Sequence, residues 1–229
     1  MSALPTPSTP VRLQPGFRPE AVVFDLDGLL VDSEDAWGRA ERAVVEGLGC
    51  PWDPAVRTLL LGRGPADAAA VLAEFLDLHD PDEIGRRLLA AAEAEFRRGV
   101  PLLPGAGRLV AGLRGRLPLG VATNSLRRLA ELAIASVALE GVFDAIVCAD
   151  DVERPKPAPD LYTTACALLG ADPARSVAFE DSPVGMRAAR AAGLWVVGCP
   201  SFPGQPTDAA HAVIGSLREV DPGELLAAG

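Results

Sequence analysis

Lysine is almost missing from this chain of 229 residues: of 21 basic residues 20 are arginine, and Lys156 stands alone. A chain that uses arginine nearly everywhere for surface charge and keeps one ammonium points to a place that needs a compact charge rather than a planar fork. A solvated surface lysine is the plain alternative. There is also no run of 18 or more apolar residues, which excludes a helical membrane span. Cysteine is sparse: Cys50, Cys148, Cys166 and Cys199 are scattered without a Cys-x-x-Cys pair. That excludes a disulfide scaffold and fits reduced thiols in a cytoplasmic protein. Basic charge is in deficit, with a net charge of -10. A binder that tracks a nucleic-acid backbone carries a basic stripe, so neither nucleic acid nor membrane is expected as a partner. The first 19 residues hold Pro5, Pro7, Pro10, Pro15 and Pro19 but no apolar stretch of the export-signal kind, and read as a flexible lead. His79 and His211 have no partner pattern and are expected to be structural or surface residues.

What is present begins at Ala21-Val22-Val23-Phe24-Asp25-Leu26-Asp27-Gly28. The apolar, partly β-branched residues read as a buried strand, ended by two carboxylates and a glycine. In extended backbone the side chains at i and i+2 leave the same face, so Asp25 and Asp27 converge just past the strand while Gly28 lets the chain turn away. An isolated Asp-x-Asp-Gly can equally be a turn that bonds its own backbone. Two unit anions at 4 Å repel by about 1 kcal/mol in water and about 4 kcal/mol at an effective dielectric of 20, so convergence calls for a cation or a shared proton.

After the strand, Ser33-Glu34-Asp35 opens a helix, with Trp37, Ala40, Val44 and Leu48 at helical spacing and Gly49 and Pro51 as its stop. Helices follow at about 54–61, 66–76 and from 81, the last with Ile84, Leu88, Ala92 and Phe96 on one face. From Pro104-Gly105 the pattern alternates: helix 106–115, strand 119–123, helix 126–139, strand 145–148, helix 159–169, strand 176–179, helix 183–192, strand 195–198. Such alternation specifies a mostly parallel sheet with helices on both faces and a site outside the carboxyl ends of its strands. The expected fold is α/β, a Rossmann-like parallel sheet core (20–33 and 101–229) behind a proline-rich lead (1–19), with an inserted all-helical cap domain (34–100) placed to act as a lid.

The strand ends carry chemically consistent groups. Thr123-Asn124-Ser125 offers hydroxyl, amide and backbone N–H groups to an oxyanion, although Ser125 read alone is a helix cap. Lys156 sits in Arg154-Pro155-Lys156-Pro157-Ala158-Pro159, where three prolines fix the direction of the ammonium. Glu180-Asp181-Ser182-Pro183 closes a strand, with Ser182 as cap and Pro183 at the first helical position. Asp25, Asp181 and Glu180 are oxygen ligands suited to a hard cation, and magnesium favours a few carboxylates with the remaining positions left to water and phosphate oxygens.

In order and approximate spacing, Asp25-Leu26-Asp27-Gly28, Thr123, Lys156 and Glu180-Asp181 resemble the four motifs of the haloacid dehalogenase superfamily. The likeness covers roughly residues 20–200 and is nearest to the β-phosphoglucomutase-like sugar-phosphate phosphatases with a helical cap. It implies a Mg²⁺-dependent phosphatase of small phosphorylated metabolites, working through an aspartyl-phosphate, and a cytoplasmic monomer is expected. On that resemblance Asp25 is the nucleophile and Asp27 the acid and base. Asp25, Asp181 and the backbone carbonyl of Asp27 would hold Mg²⁺, with Glu180 in support, while Thr123, Asn124 and Lys156 would bind phosphoryl oxygens.

Mutases of this group have a histidine where Trp37 stands, together with a cap lysine, and phosphonoacetaldehyde hydrolase also needs a cap lysine. This chain has neither. The segment Asp32–Glu41 instead resembles that of phosphatases acting on hexitol phosphates and 2-deoxyglucose 6-phosphate. A phosphosugar mutase and a non-catalytic binding protein on the same scaffold are the alternatives. In the cap, Trp37 reads as packing or substrate contact, and Arg63, between two glycines, as a substrate contact or a solvated loop residue.

Overall fold

The computed structural model describes residue 13 and residues 17–60, 65–77 and 80–227. Arg63, His79 and most of the proline-rich lead lie outside the described residues. Among the described residues the strands are β1 (Ala21–Phe24), β2 (Leu119–Ala122), β3 (Ala145–Val147), β4 (Ser176–Glu180), β5 (Trp195–Gly198) and β6 (Ala212–Val213). They form one parallel sheet in the order β3-β2-β1-β4-β5-β6. This is a doubly wound, Rossmann-like order whose direction reverses between β1 and β4, where such sheets open a crevice at their carboxyl ends.

Position in the sheet explains the strand sequences. β1 lies between β2 and β4, with Val22 opposite Leu119 on one side and Val177 on the other. Flanked by strands and covered on both faces, it is apolar throughout, and all four residues are buried. β4 is buried along its whole length too, including the terminal Glu180. That charge is costly unless every oxygen finds a partner. Behind the sheet, Leu161, Tyr162, Ala165 and Cys166 of α7 (Asp160–Leu169) pack with Met186, Ala188 and Ala189 of α8 (Pro183–Ala191) and with Val23, Ala122 and Ala178. α8 begins as the sequence indicates, with Pro183 at the first turn and Ser182 Oγ accepting from Gly185 N at 3.1 Å.

By compactness the chain divides into two units. One comprises residues up to 31, 102–124 and 141–229; the other comprises 32–101 and 125–140. The first holds the sheet. The second holds α1 (Glu34–Gly47), α2 (Pro54–Leu60), α3 (Pro65–Phe75), α4 (Pro81–Phe96) and α6 (Arg127–Ser136), and α5 (Ala106–Leu113) and α9 (Pro222–Ala227) belong to the sheet unit. The stripe Ile84, Leu88, Ala92, Phe96 is buried as its four-residue spacing requires. Asp80 caps α4 by accepting from Glu83 N at 2.9 Å. Ser33 precedes α1 but makes no side-chain cap bond. α6 packs on α4, and Arg128 pairs with Glu93 at 2.7 Å.

Candidate active site

Asp25 continues β1 by donating its N–H to the carbonyl of Phe179 at 3.0 Å, so its side chain leaves the carboxyl edge at the reversal point of the sheet. The chain turns at once. Gly28 adopts φ 78° and donates to the carbonyl of Val31 at 2.9 Å. A side chain at Gly28 would be strained by that φ and would overlap the carboxylate of Asp181. The glycine is what lets this turn close against the end of β4.

Lys156 reaches the same point from the loop before α7. Its Nζ donates to Asp25 Oδ1 and to Glu180 Oε1, each at 2.5 Å, and the side chain is almost wholly buried. Asn124, one residue past Thr123, fixes the loop through a reciprocal pair of bonds: Lys156 N donates to Asn124 Oδ1 at 2.9 Å, and Asn124 Nδ2 donates to Lys156 O at 3.2 Å. The amide grips the backbone that carries the ammonium. Thr123 Oγ1 lies 3.4 Å from Asp27 Oδ2, a long hydrogen bond that places the hydroxyl beside the second carboxylate.

Glu180 is completely buried, and four protein donors take its oxygens. Lys156 Nζ and Tyr162 Oη (2.7 Å) donate to Oε1, and Ser182 N and Oγ, both at 3.1 Å, donate to Oε2. Asp181 accepts instead from Ser201 Oγ, which stands in the loop after β5 and also approaches the carbonyl of Gly28 at 3.3 Å.

Asp25, Glu180 and Asp181 each bring a carboxylate oxygen within 4.8 Å of the others. Among the described residues, the single ammonium of Lys156 stands against these three carboxylates, so negative charge is in excess there. Burial first, and then Glu180, push Asp181 up to about 7, while Ser201 and Lys156 pull the other way. Asp25 is also raised, chiefly by burial, with Lys156 opposing. Burial alone would lower Lys156, but Asp25 and Glu180 reverse this and leave it above its ordinary value. A clustered, oxygen-only donor set with unmet negative charge fits a hard divalent cation. Asp25 and Asp181 are the residues suited to hold it, because Glu180 is already saturated by protein donors.

The structure therefore brings together Asp25, Lys156, Glu180 and Asp181, with Asp27, Thr123 and Asn124 alongside. Trp37 is half-buried in the helical unit, its ring edge-to-face with Phe96 at 5.8 Å. His211 accepts from Val196 N at 2.9 Å and stacks on Trp195, a structural setting. Tyr162 and Ser201 were not singled out by the sequence. Tyr162 sits on the apolar stripe of α7 six positions after Lys156, and its hydroxyl is the one visible signal. Ser201, within Pro200-Ser201-Phe202-Pro203-Gly204, reads only as a turn.

Residues 22–199 match the family model of haloacid dehalogenase-like hydrolases. Validoxylamine A 7'-phosphate phosphatase of Streptomyces hygroscopicus subsp. limoneus is 35% identical over 184 residues, covering 78% of this chain and 84% of that protein. Hexitol phosphatase B of Escherichia coli K12 is 34% identical over 219 residues, covering 90% of this chain and 96% of that one. Among solved structures, CbbY from Rhodobacter sphaeroides in complex with phosphate superposes with a TM-score of 0.76 at 30% identity, over 88% of this chain and 96% of that chain. The chain belongs to the haloacid dehalogenase-like hydrolase family.

Proposed function

We propose that this protein is a phosphatase of small phosphorylated sugars or polyols, dependent on Mg²⁺ and working through an aspartyl-phosphate on Asp25. The observation that carries the reading is the Lys156 ammonium, held at 2.5 Å from the Asp25 carboxylate at the reversal point of the sheet. A carboxylate attacks a phosphate dianion only if positive charge offsets their repulsion. Relatives named as phosphatases of hexitols, of fructose 1-phosphate and of phosphorylated carbohydrates support the substrate class.

Asp25 Oδ attacks phosphorus as the bond from phosphorus to the leaving alkoxide oxygen breaks, and Asp27 gives its proton to that oxygen. Asp27 then takes a proton from water as the water oxygen attacks phosphorus, and the acyl-phosphate bond breaks to return Asp25 and release inorganic phosphate. Lys156 and Thr123 hold phosphoryl oxygens, and Asn124 keeps the Lys156 backbone in place. A Mg²⁺ held by Asp25, Asp181 and the Asp27 carbonyl would add the positive charge that three carboxylates and one ammonium leave short.

The test is phosphate release from a panel of hexose, pentose and hexitol phosphates. Turnover is expected to be lost in EDTA and restored by Mg²⁺, and to fall roughly a thousandfold or more in Asp25→Asn. An Asp25→Asn protein within tenfold of the parent would overturn the assigned nucleophile.

A further inference from the structure

Tyr162 is the only tyrosine in the chain. It is completely buried on the face of α7 that packs among Val23, Ala122, Val147 and Ala165. A phenylalanine would fill that apolar space equally well, so packing does not account for the hydroxyl. The hydroxyl donates to Glu180 Oε1 at 2.7 Å, the same oxygen that accepts from Lys156 Nζ. The ammonium also lies 5.1 Å from the centroid of the Tyr162 ring. Tyr162 thus meets the Lys156 ammonium twice, directly through its ring and indirectly through the carboxylate they share.

We propose that Tyr162 is a positioning residue, which divides the Lys156 ammonium between Glu180 and Asp25 and so keeps it aimed at the bound phosphoryl group. The physical basis is competition for one oxygen. A carboxylate oxygen that already accepts a phenol O–H attracts a neighbouring ammonium less strongly, because part of its charge is engaged. Glu180 Oε2 is occupied by Ser182, so Oε1 is where the balance is set. Without the hydroxyl, Lys156 becomes the sole donor to Oε1 among the described residues and is drawn toward Glu180 and away from Asp25. The ring face beneath the ammonium limits how far it strays in the free protein. The inference rests on the reading of Lys156 as a grip on phosphoryl oxygens, and it adds that the grip is tuned from behind by a residue that touches no substrate.

Two measurements test it on the full chain. In Tyr162→Phe, the inhibition constant of inorganic phosphate is expected to rise about tenfold and kcat/KM to fall about tenfold. Circular dichroism should show the variant folded at the assay temperature. A residue that only fills the core would leave phosphate inhibition per folded molecule unchanged. The second measurement uses 13Cζ-labelled tyrosine, which gives a single resonance because there is one tyrosine. That resonance is expected to shift in Lys156→Met. Phosphate inhibition and kcat/KM both within twofold of the parent in Tyr162→Phe would overturn the proposal, as would a tyrosine resonance indifferent to Lys156→Met. A parent protein that released no phosphate from any substrate would instead sink the phosphatase reading, and the resonance would still decide whether Tyr162 and Lys156 are coupled.

Discussion

The carboxylate of Glu180 rests against the bare α-carbon of Gly185, in the space a side chain there would fill. Gly185 lies in the first turn of α8, where alanine would ordinarily favour the helix by about 1 kcal/mol. Glycine is kept there because a methyl group would overlap an anion that cannot retreat, held as it is by Lys156, Tyr162 and Ser182. Gly185→Ala is therefore expected to reverse the usual sign and lose about 1–3 kcal/mol of stability, the range of an overpacked core. Displacing Glu180 also moves Lys156, so activity should fall. Urea denaturation together with phosphate release checks both, and a variant as stable as the parent would show that the contact is not rigid.

Asn124 uses its amide oxygen and one amide N–H to hold the backbone of Lys156. Asn124→Ala removes both bonds and leaves a loop N–H and a carbonyl to find water. The expected stability loss is about 1–2 kcal/mol, and KM should rise more than kcat falls if the loss is chiefly in ground-state grip. Steady-state kinetics on the best substrate of the panel provides the check. An unchanged KM would mean that the prolines of the loop suffice to hold Lys156.

Much of this site was legible because charge at the end of an apolar strand is conspicuous. Asp25-Leu26-Asp27-Gly28 and Glu180-Asp181 interrupt buried strands with carboxylates, and Lys156 is singular in composition. The strands and helices from 104 to 198 were readable for the same reason: each apolar run is ended by Gly, Pro or a polar cap. Partners were not readable. A sequence names Asn124 as a donor and acceptor but does not say that the other half of the pair is the Lys156 backbone. Tyr162 lies on an apolar stripe, where an aromatic residue reads as packing, and only the fold brings its hydroxyl to Glu180. β6 is two residues long, too short for any alternation to show. The association of α6 with α4 rests on contacts such as Arg128–Glu93, which no local pattern announces.

The hydrogen bond from Ser201 to Asp181 bears on how readily Asp181 would take the proposed Mg²⁺. Burial and Glu180 raise Asp181 to about 7, while the Ser201 hydroxyl lowers it. In the metal-free protein this carboxyl is protonated below that point, so a cation must displace a proton to bind there. The Mg²⁺ concentration for half-maximal activity is therefore expected to fall as pH rises from about 6 to 8 and to level off above. Ser201→Ala removes the lowering contribution and should move the curve to higher pH. Activation curves at several pH values read both effects, and a flat dependence in the parent would show that Asp181 does not limit metal binding.

Glu41 of α1 is only 3% exposed and accepts from Arg57 Nη1 of α2 at 3.1 Å. The same guanidinium donates to the Glu34 carbonyl at 2.8 Å and to the Glu34 carboxylate. One arginine thus serves two carboxylates, and burial, with Glu34 adding to it, raises Glu41 to about 7 against the pull of Arg57. A folded pKa above the unfolded value means that the folded state binds the proton more tightly. The stability that proton contributes is fully present below about pH 4.5 and is lost as pH rises through about 7. The loss attributable to Glu41 is on the order of 1–3 kcal/mol. Glu41→Gln carries no proton to lose, so its stability should fall less than that of the parent between pH 5 and 8. Urea denaturation of both proteins at those two pH values, with Mg²⁺ saturating so that Asp181 does not contribute, isolates the difference. Equal slopes would mean that Arg57 holds Glu41 ionised throughout, and that the second carboxylate of the trio carries no net penalty.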